Sequence, residues 1–156
     1  MSDLRFEKHR VPATITLSTG TQVRGWFFVV SSLASHGGPE RVGDLLNAED
    51  GFFPFLKEDG STGQFNRAHL VQARLAPDAD EESLEPGHAV AQPREVSLTL
   101  STGAQASGTV FVSGPTGHER LSDYARRARH FFYLVTTGGT LVVNTHHVVE
   151  LEERTA

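Results

Sequence analysis

The chain has eight histidines and no cysteine, and these set the first limits on its chemistry. The missing thiol excludes disulfides, cysteine-ligated zinc and a cysteine nucleophile together. The histidines carry no metal signature. There is no His-Glu-x-x-His and no compact cluster of histidine with carboxylate. His146 and His147 are adjacent, so on a strand they would point to opposite faces. His69 and His147 each follow an asparagine by three residues (Asn66 and Asn144). Each is expected to close a turn and to bond a backbone carbonyl rather than a metal. No Gly-x-Ser-x-Gly or other serine nucleophile setting is present. The densest acids, Asp78, Asp80, Glu81, Glu82 and Glu85, lie in a stretch where nothing positions them. No catalytic residue, metal ligand or cofactor-binding residue is nominated, and no cofactor. The chain is expected to be non-enzymatic.

Two surfaces remain for recognition. In "QVRGWFFVV", Val23, Gly25, Phe27 and Val29 alternate with Arg24, Trp26 and Phe28. The first set is apolar or small and is expected to face inward. That leaves Arg24, Trp26 and Phe28 together on the outer face, as a candidate protein contact rich in residue types typical of interface hot spots. The second surface is "ERLSDYARRARHFFY", where Arg120, Arg126, Arg127 and Arg129 lie beside four aromatics. Arginine beside stacking rings is the chemistry of single-stranded nucleic-acid binding. Charge opposes that alternative. Residues 1–75 and 94–156 are each neutral overall, and the whole net charge of −5 sits in 76–93. Nucleic-acid binding draws much of its affinity from counterion release by a basic surface.

Those residues need elements to hold them, and the chain spells its elements almost twice. "ITLSTGTQVRG" (Ile15–Gly25) returns as "LTLSTGAQASG" (Leu98–Gly108). "ERVGDLLNAEDGFFPFL" (Glu40–Leu56) aligns without gaps to "ERLSDYARRARHFFYLV" (Glu119–Val135). "NRAHLV" aligns to "NTHHVV". The changes of offset fall in glycine-rich stretches that read as loops, which marks a tandem duplication. Each copy predicts two strands joined by a hairpin at Ser-Thr-Gly, where glycine supplies a positive φ. A short helix and three more strands follow. Arg41 and Asp44, like Arg120 and Asp123, lie three apart on that helix and can pair. Pro54 cannot donate to a ladder, which favours an edge or a bulge. Between the copies, 76–93 holds three prolines, a glycine and clustered acids, the composition of a linker.

The resulting pattern, β-β-α-β-β-β, resembles the small SH3-like or Sm-like barrel. The hairpin opening and the Asn-x-x-His-hydrophobic-hydrophobic close look like the two ends of an Sm-type module, although the helix lies after the second strand. "RVGDLLNAEDGFFPF … NRAHLV" also resembles a bacterial domain to which no activity is attached. The second copy departs from it at Tyr124, Ala125, Arg126 and Tyr133. The resemblance implies a fold and no chemistry. The expected fold is mainly β, two tandem SH3-like/Sm-like small barrels with one short helix each. The expected domains are 1–75, a linker at 76–93, and 94–156. The expected function is a protein-interaction or regulatory adaptor, with a nucleic-acid binder and a small-ligand sensor as alternatives. The partner is expected to be another protein, with a homo-oligomer left open. "MSDLRFEKHRVP" shows no secretory h-region and no apolar run is long enough to span a bilayer, so no membrane partner and a cytoplasmic location are expected.

Overall fold

The computed structural model describes residues 8–30, 40–77, 92–112 and 130–154. The strands are β1 (Lys8–Leu17), β2 (Gln22–Val30), β3 (Phe52–Lys57), β4 (Thr62–Asn66) and β5 (Leu70–Leu75) in the first half. In the second half they are β6 (Gln92–Leu100), β7 (Gln105–Val112), β8 (Phe131–Thr136), β9 (Gly139–Asn144) and β10 (Val148–Glu153). One α-helix, α1 (Val42–Asn47), is present among the described residues. The helix expected in the second copy, with Arg120 and Asp123, and most of the acidic stretch lie outside them. Gln92 and Pro93, at the end of that stretch, already belong to β6.

All ten strands join one open antiparallel sheet, in the order β10-β6-β7-β8-β9-β5-β1-β2-β3-β4. This corrects the expectation of tandem SH3-like or Sm-like barrels, each with its own helix. The reason lies in the pairing. Within each half the last strand returns beside the first (β5 on β1, β10 on β6), but it does not reach the fourth strand of its own half. Neither half closes on itself. Instead β5 pairs with β9 across the middle, with Gln72 opposite Val143, Ala73 opposite Val142 and Arg74 opposite Leu141.

The core confirms the exchange. One apolar cluster gathers Ile15, Phe27, Phe53, Phe55 and Leu70, and takes Phe131, Tyr133 and Val142 from the second half. The other gathers Val96, Leu98, Val110 and Leu134, and takes Val71 from the first. A half of about 60 residues buries too little apolar surface to be comfortably stable alone. Sharing side chains across the middle enlarges both clusters.

Each hairpin is closed as the repeated Ser-Thr-Gly dictates. Leu17 N donates to Thr21 O at 2.9 Å, Gly20 N donates to Leu17 O at 2.8 Å, and Gly20 has φ +88°. Leu100, Ala104 and Gly103 repeat this geometry, with φ +89° at Gly103. Pro54 sits inside β3 at neither an edge nor a bulge. It is accommodated because β2 pairs with β3 only over Phe55–Lys57, so Pro54 lies past the end of that ladder.

Helix α1 is short, and it is pinned by specific bonds. Arg41, at its N-cap, donates from its backbone N to Asp44 Oδ2 at 2.9 Å and from Nε to the same oxygen at 3.3 Å. Asp44 thereby also offers an anion to the first turn of the helix. Arg67, buried among the first half's strands, donates to Leu45 O at 2.9 Å and to Phe52 O at 2.7 Å. Desolvation lowers its pKa below the usual arginine value, while Glu49, Asp50 and Glu40 act to raise it.

Candidate functional site

The alternation in β2 places its side chains on two faces. Phe27 and Val29 are buried in the core, while Trp26 and Phe28 are half-buried on the outer face and Arg24 is exposed. Trp26 lies opposite Pro12 of β1 on one side and Leu56 of β3 on the other. A shallow groove of about 280 Å³ opens here. Its lining includes Pro12, Arg24, Trp26, Glu58, Arg74 and Gly138. Phe28 lies on the same face but does not line the groove. Gly138 comes from the β8–β9 turn, so both halves contribute to the groove.

The groove's charges are unevenly matched. Arg24 Nε lies 3.8 Å from Glu58 Oε2, both exposed, so the pair contributes little to stability and is free to exchange. Arg74 has no ion-pair partner among the described residues. Two guanidinium groups against one carboxylate leave the groove mildly cationic. Arg74 was missed in the sequence because its strand signals only a half-buried ladder. Nothing local shows that β5 ends beside β2's outer face.

The other nominated surface is not brought into view. Arg120, Arg126, Arg127 and Arg129 lie outside the described residues. His69 and His147, by contrast, each end a 3-10 turn, Arg67–His69 and Thr145–His147. Ser18 Oγ and His69 Nδ1 are 2.8 Å apart, and Ser101 Oγ and His147 Nδ1 are 2.7 Å apart. The backbone of each serine also donates to the carbonyl of its histidine at 2.8 Å. Each pair clamps a hairpin onto the turn before the last strand of its half. His147 Nε2 further donates to Ala68 O at 2.8 Å, which in the neutral ring leaves Nδ1 as the acceptor for the serine hydroxyl. A hydroxyl bonded to an oriented imidazole has the outline of a nucleophile and base. Neither pair lines the groove.

His146 and His147 lie in a 3-10 turn, Thr145–His147, and not on a strand. His146 Nε2 bonds His130 Nδ1 at 2.8 Å with the rings stacked at 4.9 Å. Two imidazoles are too few for a structural metal centre. No group of three or more metal-ligating side chains occurs among the described residues. No helix there is long and apolar enough to cross a membrane.

Comparison with family models, curated proteins and solved structures returned no match. The reading of the groove therefore stands on its own geometry.

Proposed function

We propose that this chain is a non-enzymatic protein-interaction module, and that the Trp26 groove takes an extended segment of a partner protein. The observation that carries the reading is the half-buried Trp26 beside Arg24 and Arg74 in an open groove. An indole with an apolar face beside cations suits a segment that presents one flat apolar residue and one carboxylate. The groove is shallow, which suits a peptide better than an enclosed small molecule.

Trp26 is the chain's one tryptophan, so it serves as probe and target together. Capture from native lysate should yield a protein that survives nuclease treatment, and Trp26→Ser should lose it while remaining folded. Its binding should also shift Trp26 fluorescence. Loss of the captured material on nuclease treatment would replace this reading with nucleic-acid binding. Equal capture by Trp26→Ser would remove the groove from it.

A further inference from the structure

Among the described residues the sheet ends in two free edges, β4 and β10, and their character follows from the junction at its middle. At that junction β5, the last strand of the first half, pairs with β9, the fourth strand of the second. Strand β10 is the last strand of the second half, and β4 is the fourth strand of the first. The two free edges are therefore the same two kinds of strand that already pair inside the chain.

Side chains agree with strand order. Phe52 and Val149 are the two exposed large hydrophobic residues among those described, at 63% and 69%. Phe52 stands opposite Asn66 just as Phe131 stands opposite Asn144, yet Phe131 is 4% exposed. Val149 follows the turn as Val71 does, and Val71 is 0% exposed. In both cases the buried member sits at the internal junction and the exposed one at a free edge. Asn144 and Asn66 each accept from the backbone N two residues on, at 2.9 Å. Asn144 Nδ2 also donates across the junction to Arg67 O and Leu70 O, at 3.2 and 2.9 Å. Asn66 Nδ2 makes no such bond among the described residues. His147 Nε2 crosses the junction to Ala68 O, while the His69 ring bonds, among the described residues, its serine alone.

We propose that β10 of one molecule pairs with β4 of a second copy, repeating the β5·β9 junction between chains. The register follows from the internal one: Glu150 opposite Phe65, Leu151 opposite Gln64, and Glu152 opposite Gly63. Asn66 then donates to the carbonyls of Thr145 and Val148, and Val149 and Phe52 are covered. The glutamates of β10, Glu150, Glu152 and Glu153, meet a strand with no charged residue, Thr62–Asn66. They also discourage β10 from pairing with another β10, because like charges opposite each other are unfavourable. The contact is head-to-tail, so it propagates into a ring or an open chain rather than stopping at a symmetric dimer. This surface is separate from the Trp26 groove and does not rest on the proposed function.

Light scattering of the full chain at rising concentration tests the proposal. The expected result is assembly in whole multiples of the 17.0 kDa chain mass. Asn66→Asp keeps the acceptor for Ala68 N and removes the donor, while Val149→Glu puts charge on the other edge. Each should weaken assembly at least about tenfold, with circular dichroism and melting of the monomer unchanged. Mixing the two variants leaves one sound β10 and one sound β4, and should give a dimer of twice the chain mass and nothing larger. If Asn66→Asp does not fold, Phe52→Asp reports the same edge. A wild type that stays monomeric at every concentration overturns the proposal. So does assembly lost only with Val149→Glu, which would mean symmetric β10 pairing, or a mixture of folded variants that forms no dimer.

Discussion

The turn at Asn144 and the turn at Asn66 are built from the same residue types and do different work. Each has an asparagine capping a 3-10 turn, then a histidine held by a serine hydroxyl from the hairpin of its own half. Asn144 is 2% exposed and bonds across the sheet, whereas Asn66 is half-buried and, among the described residues, bonds only locally. The local geometry is set by the local residues, so it recurs. The energetic weight of those residues is set by what lies beyond the turn, so it does not. Substitutions made in matched pairs, measured on dilute protein, separate these two contributions.

The largest loss is expected where the halves are alike. Gly25 and Gly108 let β2 and β7 press against the backbone of the next strand. A Cβ at Gly25 would overlap Leu56 O, and one at Gly108 would overlap Val135 O. Backbone oxygens cannot swing aside as side chains do. Gly25→Ala and Gly108→Ala should each cost about 4 kcal/mol or more, or prevent folding. Denaturant melts that show near-normal stability for either would mean the strands can separate there without loss.

The turns should then diverge. Asn144→Ala removes the cap and two donated bonds, and it strands the buried carbonyls of Arg67 and Leu70. The expected cost is about 3 kcal/mol. Asn66→Ala removes the cap alone, for about 1 kcal/mol. Equal costs would show that the capping bond, and not the junction, carries the stability at both turns.

A bond that joins the two halves comes next. Tyr133 Oη accepts from Gly43 N at 2.9 Å, tying α1 of the first half to β8 of the second. The matching position in the first copy is Pro54, which has no hydroxyl. Tyr133→Phe leaves the buried N–H of Gly43 without its acceptor and should cost about 2 kcal/mol. Faster amide exchange at Gly43 in the variant would locate the loss. Unchanged exchange there would show that water or another group replaces the phenol.

The same contrast explains what the sequence discloses. Alternation in β2 reveals the inward set Phe27 and Val29 and the outward set Arg24, Trp26 and Phe28, because those faces depend only on neighbouring residues. The Ser-Thr-Gly hairpins are equally local. The joining of the halves is not. Nothing in "HLVQARL" shows that Val71 belongs to the second half's core, or that Arg74 ends beside Trp26. Both follow from the choice of β9 as partner for β5, and that choice is made between segments about 70 residues apart. His147 closes a turn as expected, and the separate partners of His146 and His147 come from that turn. Adjacent histidines face apart on a strand, but in a 3-10 turn each finds its own partner.

The smallest expected difference is between the two histidine clamps. His69→Ala removes one bond, to Ser18 Oγ. His147→Ala removes two, to Ser101 Oγ and to Ala68 O across the junction. His69 is exposed and His147 half-buried, so each bond competes with water and is worth at most about 1 kcal/mol net. His147→Ala should therefore be the costlier of the two by about 0.5 to 1 kcal/mol. A double variant with Ser101→Ala isolates the crossing bond. Once the hydroxyl is gone, the remaining loss on removing His147 belongs mainly to its contact with Ala68, together with any change in side-chain packing. If that remaining loss equals the loss for His69→Ala made on Ser18→Ala, the contact with Ala68 O adds nothing. The two clamps would then be equivalent in energy as well as in geometry.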